Sequence, residues 1–280
     1  MRHISFNGEL FPAKDFTIGL KNRAFRYGDG LFETIRSHGT RMPFFDYHYA
    51  RLYHGMDVFR MVPGILSKTF LRDSAERLIK ADKLFNGNSV RVSVFRKEGG
   101  KYTPQTSEVD FLIEAEPVAD HKFVLNDKGL FIDTFEDHFK SSSPIGNFKN
   151  SSALLAVLAG INMQQRKLDD ILILNEKNVL VEALSSNIFL YKGNKLFTPS
   201  LNTGCVDGVM RRVLLEIAGE QNIDVEESDR LVPEDLLTAD EVFISNAMRG
   251  INWVVAYKNK RYLYKMSRFL MSEINRKAGF

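Results

Sequence analysis

The feature that most constrains the fold is the segment Val181–Arg212, which passes from strand patterns to a helix pattern within a short length of chain. Apolar neighbours around Glu182 predict a strand, and a hairpin pattern about residues 192–194 follows it. The tight turn Thr203–Asp207 then leads into a predicted amphipathic helix. Because the first N–H groups of a helix have no partner within the helix, this turn is a predicted anion site.

Strand and helix patterns are mixed along the rest of the chain without strict alternation. The dipeptide Asn7-Gly8 is typical of a tight hairpin, Leu31–Ser37 has the pattern of a strand, and apolar spacing predicts a helix from Lys68 to Leu84. Such a mixture predicts an α/β or α+β fold with largely antiparallel sheets. The pattern breaks at Glu116–Asp120, so we predict an N-terminal α/β domain over residues 1–117 and a C-terminal domain over residues 122–280.

Composition limits the classes of partner and compartment. The 280 residues include 38 basic and 35 acidic side chains, and a net charge of +3 argues against a nucleic-acid or anionic-membrane partner. Cys205 is the single cysteine, which excludes an internal disulfide and fits a reducing compartment. No apolar run approaches the roughly 20 residues of a membrane span, and the N-terminal residues are too polar for a signal peptide. We therefore expect a cytoplasmic protein with no membrane partner.

Few residues in the sequence stand out as candidates for catalysis or metal binding. His48 and His54 do not share one helix face, so no metal site is predicted. Lys149 lies between Phe148 and the start of a predicted helix with an apolar face. A primary amine is the group that forms a reversible imine with an aldehyde, and burial or nearby cations bring its pKa into a useful range. Lys149 therefore stands out among the lysines, although a solvated surface lysine is the alternative.

Glu182 and the predicted anion site complete a possible cofactor site. A carboxylate in an apolar strand either faces water at a sheet edge or pairs with a cation, such as a protonated pyridine nitrogen. An amine, an acid and a phosphate-sized anion site are the groups that pyridoxal 5'-phosphate requires. Lys149, Glu182 and the turn Thr203–Asp207 thus suggest a pyridoxal phosphate site.

Several motifs carry a resemblance that extends over nearly the whole chain. They are YGDGLFETIR at 27–36, the helix around Tyr49–Leu52, Lys149, Glu182 with Ser186–Phe189, and GVMRR at 208–212. In this order they resemble the class IV aminotransferase family, which consists of pyridoxal phosphate enzymes of fold type IV. The resemblance implies a mixed α/β (α+β) fold of two domains with the cofactor between them. It also implies a small amino substrate and a homodimer whose sites borrow residues from the neighbouring subunit.

The resemblance assigns a role to each matching position. Lys149 would bond the cofactor and move the Cα proton, Glu182 would pair with the pyridine nitrogen, and Arg51 would bind the phosphate. The further phosphate contacts would come from Val209, Met210, Asn246 and Ala247. The residues on the substrate side would be Tyr27, Arg96 and Arg249. Besides Lys149 and Glu182, three of these positions have an alternative: Arg51 and Arg249 as surface arginines, and Tyr27 as a packed aromatic residue.

Two motifs bear on the reaction type. GVMRR at 208–212 and SNAMRG at 245–250 resemble the forms found in 4-amino-4-deoxychorismate lyases, which release pyruvate and leave p-aminobenzoate for folate synthesis. The loop after Arg96 lacks the glycine that many lyases carry there, which argues against the lyase. The other activity considered is that of an aminotransferase acting on branched-chain or D-amino acids. The lyase is the favoured prediction and the aminotransferase is the alternative. A protein that binds the cofactor without turnover is a third hypothesis, and the lysine, acid and arginine argue against it.

Overall fold

The computed structural model describes residues 2–120 and 122–280, which divide into two compact units. The first unit contains the described residues up to Lys122 together with Phe148–Ser152. The second unit contains Phe123–Asn147 and Ala153–Phe280. The predicted C-terminal domain over 122–280 included the segment Phe148–Ser152, whereas this segment packs with the first unit.

Backbone hydrogen bonds explain why the short segment belongs to the first unit. Phe32 N donates to Lys149 O at 2.8 Å, and Ser151 N donates to Gly30 O at 2.9 Å. Leu31 and Asn150 form an isolated antiparallel bridge. The segment therefore continues the edge of a first-unit sheet and positions Lys149 there.

The first unit is a sheet with apolar side chains packed on both faces, and its two long helices cover one of them. Its strands are β1 (His3–Phe6), β2 (Glu9–Pro12), β3 (Gly30–His38), β4 (Gly87–Arg96) and β5 (Val109–Pro117), and its helices are α1 (Arg23–Tyr27), α2 (Phe45–Val58) and α3 (Lys68–Ala81). A 3₁₀ turn lies at Ala13–Asp15. The strand order is β2-β1-β5-β4-β3, and each neighbouring pair is antiparallel.

The sequence pattern of β4 shows which face of this sheet carries the larger core. A smaller apolar cluster on the opposite face contains Ile4, Phe95 and Leu112. Val90, Val92 and Val94 are buried in the apolar cluster that α2 and α3 complete, whereas Arg91 on the opposite face is exposed. The hairpin between β1 and β2 was predicted at Asn7-Gly8 and is confirmed, with φ of 50° at Asn7 and 89° at Gly8. Positive φ at both residues is the geometry that this dipeptide favours.

The second unit is a larger mixed sheet with helices. Its strands are β6 (Leu130–Lys140), β7 (Asp170–Asn175), β8 (Leu180–Ala183), β9 (Asn187–Lys192), β10 (Lys195–Pro199), β11 (Asp224–Ser228), β12 (Glu241–Asn246), β13 (Gly250–Tyr257) and β14 (Lys260–Arg261). Its helices are α4 (Leu154–Gln165), α5 (Val209–Glu220), α6 (Pro233–Thr238) and α7 (Lys265–Ala278), with 3₁₀ turns at Pro144–Asn147 and Leu201–Thr203.

The strand order of the second sheet is β11-β10-β9-β12-β13-β6-β7-β8, and β14 pairs with β13. The pairs β10/β11, β13/β6 and β6/β7 are parallel, and the other neighbours are antiparallel. The predicted mixed class with largely antiparallel sheets is confirmed. None of the helices in the described part of the chain combines the length and apolar character needed to cross a bilayer.

The two long apolar helices of the second unit differ in what covers them. In α5, Val213, Leu214 and Ile217 are fully buried, as the sequence pattern predicts. In α4, the exposed fractions of Leu154, Val157 and Ile161 are 69%, 55% and 47%. These three residues occur at helical spacing, so they form one exposed apolar stripe.

Candidate active site

A buried carboxylate, Glu33, holds Arg51 inside the first unit. Arg51 Nε donates to Glu33 Oε1 at 2.7 Å and Arg51 Nη2 donates to Glu33 Oε2 at 2.6 Å. His48 Nδ1 lies 2.7 Å from the same Oε2. Because His48 and Arg51 are three residues apart on α2, both reach the inward face of β3 that carries Glu33. All three side chains are buried.

The charges in this cluster follow from its contacts. Burial raises the pKa of Glu33, but the charge of Arg51 and the hydrogen bonds from His48 and Arg51 outweigh it and bring the pKa to about 2. Burial lowers the pKa of His48 more than Glu33 raises it. His48 is therefore neutral at neutral pH and donates its Nδ1–H to the carboxylate. The bidentate pair fixes the guanidinium of Arg51 as a buried cation.

Glu33 and His48 were not among the predicted site residues. A signal for them exists in the sequence, because Glu33 interrupts the apolar inward positions Leu31 and Ile35 of β3. His48 shares one helix face with Arg51. An acid at a core position of a strand requires a cation, and Arg51 is the cation that the fold supplies.

Lys149 lies half-buried at the edge of the first sheet. Its Nζ is 4.6 Å from the centre of the Phe32 ring. The guanidinium carbon of Arg91 lies 4.0 Å from the centre of the same ring, so two cations contact Phe32. Arg91, which is exposed and was not predicted, therefore lies on the same outward face of β3 and β4 as Phe32.

The predicted substrate residues Tyr27 and Arg96 make contacts within the first unit. Tyr27 ends α1, and its ring lies 5.0 Å from the Arg23 guanidinium carbon and 5.7 Å from the Tyr102 ring. Arg96 is buried, and its guanidinium donates to Asp29 Oδ2 at 3.0 Å and to two main-chain carbonyls, Arg60 O at 3.0 Å and Phe59 O at 2.8 Å. These bonds anchor the base of the loop that follows Arg96.

In the second unit, Glu182 is held by one cation and one backbone donor. Lys140 Nζ donates to Glu182 Oε1 at 2.7 Å, and Val206 N donates to Oε2 at 2.9 Å. The exposed fractions of the Lys140 and Glu182 side chains are 17% and 14%. Of the two alternatives that the sequence left open for Glu182, water or a cationic partner, the structure shows a cation, Lys140, which the sequence did not identify.

The predicted anion site lies at the start of α5. Val209 and Met210 are buried, and in the described part of the chain no side chain caps the helix. Gly208 precedes them, and a Cβ at this position would collide with the side-chain oxygen of Asn187. A glycine is therefore required where the start of α5 passes close to the Asn187 side chain. The buried N–H groups of the first turn of α5 are available to an anion.

The remaining predicted residues, Asn246, Ala247 and Arg249, lie at the end of β12 and in the turn that leads to β13. Asn246 Nδ2 donates to Ser186 Oγ at 2.9 Å, and Asn246 Oδ1 accepts from Met248 N at 3.0 Å and from Arg249 N at 2.9 Å. The Asn246 side chain thus holds the turn in shape. Arg249 is exposed. Burial raises the pKa of Asp170, and the positive charge of Arg249 reduces this increase.

The predicted site residues fall into two sets. The first unit contains Tyr27, Arg51, Arg96 and Lys149, and the second contains Glu182, Val209, Met210, Asn246, Ala247 and Arg249. Among residues 2–120 and 122–280, no group of three or more His, Cys, Asp or Glu side chains could hold a metal ion.

The family described as Amino-transferase class IV matches residues 30–257, which is most of the chain. The chain belongs to the class IV aminotransferase family. The matched region includes Arg51, Lys149 and Glu182 as well as the unpredicted residues Glu33 and His48.

Individual members of the class IV aminotransferase family cover the chain almost completely. The chain is 26% identical over 265 residues to an aminodeoxychorismate lyase of Vibrio harveyi, with 92% of this chain and 96% of that enzyme covered. It is 27% identical over 296 residues to a D-alanine aminotransferase of Listeria monocytogenes, with 98% of this chain and 96% of that enzyme covered. A branched-chain aminotransferase of Thermoproteus uzoniensis has the same fold, with a TM-score of 0.90 and 19% sequence identity. The match covers 99% of this chain and 95% of that aminotransferase.

Proposed function

We propose that the protein is a pyridoxal 5'-phosphate-dependent enzyme that acts at the Cα of an amino substrate. The observation that carries this proposal is the fit of the described side chains to the groups of that cofactor. Arg51 is a fixed buried cation, and the buried start of α5 presents N–H donors to an anion. Lys149 is a half-buried primary amine, and Glu182 is a carboxylate with a donor on each oxygen.

Each residue has a role that follows from its chemistry. Pyridoxal phosphate supplies an aldehyde and a ring that withdraws electrons from a substrate carbon. Lys149 would bond the aldehyde and then hold or return the Cα proton at Nζ. Glu182 would accept a hydrogen bond from the ring N–H. Arg51 would bind the phosphate, and the remaining phosphate contacts would come from the main chain of Val209, Met210, Asn246 and Ala247.

The substrate side would be formed by arginines and a tyrosine. Arg249 and Arg91 are exposed guanidinium groups that can bind a carboxylate through two hydrogen bonds. The proposed role of Arg91 is supported by its contact with the ring of Phe32, which Lys149 also contacts. Tyr27 stays a predicted contact. For Arg96 the same role stays a prediction, although its three hydrogen bonds to Asp29, Phe59 and Arg60 favour an anchoring role.

We propose 4-amino-4-deoxychorismate lyase as the activity. The motifs GVMRR and SNAMRG support it, as does the likeness to the Vibrio harveyi lyase over 92% of the chain. In this reaction Lys149 would take the Cα proton, and departure of the enolpyruvyl group would release pyruvate and leave aromatic p-aminobenzoate. An aminotransferase is the second candidate, because the likeness to the D-alanine aminotransferase covers 98% of the chain.

The deciding experiment supplies aminodeoxychorismate to purified protein without a keto acid. A lyase releases pyruvate and p-aminobenzoate, whereas an aminotransferase requires an amino donor with a keto acid and releases neither product here. Lys149→Ala should abolish turnover together with the visible absorbance of the bound cofactor. Lys97→Ala, which removes an exposed lysine, is the matched control and should change neither. A wild-type protein that acquires no such absorbance after addition of pyridoxal phosphate would contradict the whole proposal.

We also propose that the enzyme is a cytoplasmic homodimer. The exposed stripe of Leu154, Val157 and Ile161 on α4 supports a partner of the same chain, because a soluble protein rarely leaves such a row uncovered. Val157→Asp should shift the protein toward the monomer in sedimentation velocity. Val62→Asp, the same substitution at an exposed position of the first unit, should leave the dimer intact. A wild-type protein that sediments as a monomer would contradict the dimer.

A further inference from the structure

The pair formed by Lys140 and Glu182 differs from the surface ion pairs of this protein. Lys97 and Glu108 are also 2.7 Å apart, but their side chains are 42% and 59% exposed, and water screens their charges. The Lys140 and Glu182 side chains are 17% and 14% exposed, so their charges act over a longer range. Lys140 also donates to Gly146 O at 3.2 Å, which holds its ammonium at one position.

The contacts leave Glu182 with capacity for a further ligand. An ionised carboxylate has about four acceptor positions on its two oxygens, and Lys140 and Val206 N occupy one position on each oxygen. The donors already present orient the carboxylate plane, so a third donor meets a fixed acceptor. That third group approaches a carboxylate whose negative charge Lys140 has already partly neutralised.

We propose that Lys140 is a positioning residue that sets how strongly Glu182 attracts the ring N–H of the cofactor, by balancing part of the carboxylate charge. This inference rests on the proposed function, because it takes the ligand of Glu182 to be a pyridine ring. Without the charge of Lys140, the negative charge of Glu182 would no longer be offset, although Val206 N would still donate to it. The contact with a ring N–H would then be stronger.

The test compares two cofactors that differ only at the ring nitrogen. Pyridoxal phosphate has this nitrogen, and 1-deazapyridoxal phosphate has a C–H in its place. Both have the same aldehyde and phosphate, so Lys149, Arg51 and the start of α5 affect them equally. The ratio of the two dissociation constants, measured on cofactor-free protein, therefore reports the contact at the nitrogen alone.

The variants separate charge from hydrogen bonding and from folding. Lys140→Gln keeps a donor near Glu182 and removes the charge, Lys140→Met removes both, and Lys140→Arg keeps both. We expect the preference of the wild type for pyridoxal phosphate to increase by about tenfold in Lys140→Gln and Lys140→Met. Lys140→Arg should keep the wild-type preference. Glu182→Gln should reduce the preference, and adding Lys140→Gln to it should have no further effect.

The possible failures are distinguishable. A Lys140 that only supports the local fold would weaken the binding of both cofactors equally, and an unchanged preference in Lys140→Gln would overturn the inference. A preference that falls in that variant would overturn it as well. If the wild type binds pyridoxal phosphate with the expected preference, the proposed function survives either result. If the wild type binds neither cofactor, the proposed function fails and the role of Lys140 fails with it.

Discussion

Glu33 in the first unit and Glu182 in the second are both carboxylates paired with a cation, yet they differ in depth and in donors. Glu33 is fully enclosed and accepts two hydrogen bonds from Arg51 and one from His48. Glu182 is partly accessible and accepts one bond from Lys140 and one from a main-chain N–H. The comparison suggests that Glu33 serves to hold a cation, whereas Glu182 retains acceptor capacity for a ligand.

The largest effect is expected from the enclosed carboxylate. Glu33→Gln leaves Arg51 as a buried charge without its counter-ion, so the free energy of unfolding of the cofactor-free protein should fall by about 3–5 kcal/mol. Urea denaturation measures this change. Glu108→Gln, which removes an exposed carboxylate, is the control and should have little effect. A small loss in Glu33→Gln would mean that Glu33 is not the main counter-ion of Arg51.

Acid should weaken the Glu33 cluster in a defined pH window. The pKa of Glu33 falls from 4.5 to about 2 on folding, so the folded protein binds this proton less readily than the unfolded chain does. The stabilisation is therefore complete above a pH of about 4.5 and is lost as the pH falls toward 2. Over this range, the stability difference between wild type and Glu33→Gln should narrow by about 3 kcal/mol. A difference that does not change with pH would contradict the depressed pKa.

A smaller effect is expected from the partly accessible pair. Lys140→Met removes one donor from Glu182 but leaves Val206 N and some access to water, so the free energy of unfolding should fall by about 1–2 kcal/mol. The same urea experiment measures it in cofactor-free protein. A loss as large as that of Glu33→Gln would remove the distinction between the two carboxylates.

The sequence predicted local structure better than it predicted partners. The hairpin at Asn7-Gly8 and the buried face of α5 depend on neighbouring residues, and both are confirmed. Glu33 and Arg51 are 18 positions apart, and Lys140 and Glu182 are 42 apart. No local pattern brings such residues together, because their contacts depend on strand order and register.

Helix α4 shows a second limit of sequence reasoning. The period of its apolar residues indicates a helix but does not reveal what covers the apolar face. The sequence cannot show that Leu154, Val157 and Ile161 are exposed, because their exposure depends on how the rest of the second unit packs against the helix. Likewise the sequence did not reveal that the guanidinium of Arg96, whose contact with substrate stays a prediction, donates hydrogen bonds to Asp29 and to the main chain.

The segment Phe148–Ser152 has a consequence for synthesis on the ribosome. The chain leaves the ribosome from its N-terminus, and the edge strand β3 lacks the main-chain partners Lys149 and Ser151 until residue 152 has emerged. By then, Phe123–Asn147 of the second unit has already been made. The first unit therefore cannot be completed in order of translation. A fragment that ends at Lys122 would keep an open sheet edge and would lack the lysine on which the proposed chemistry depends.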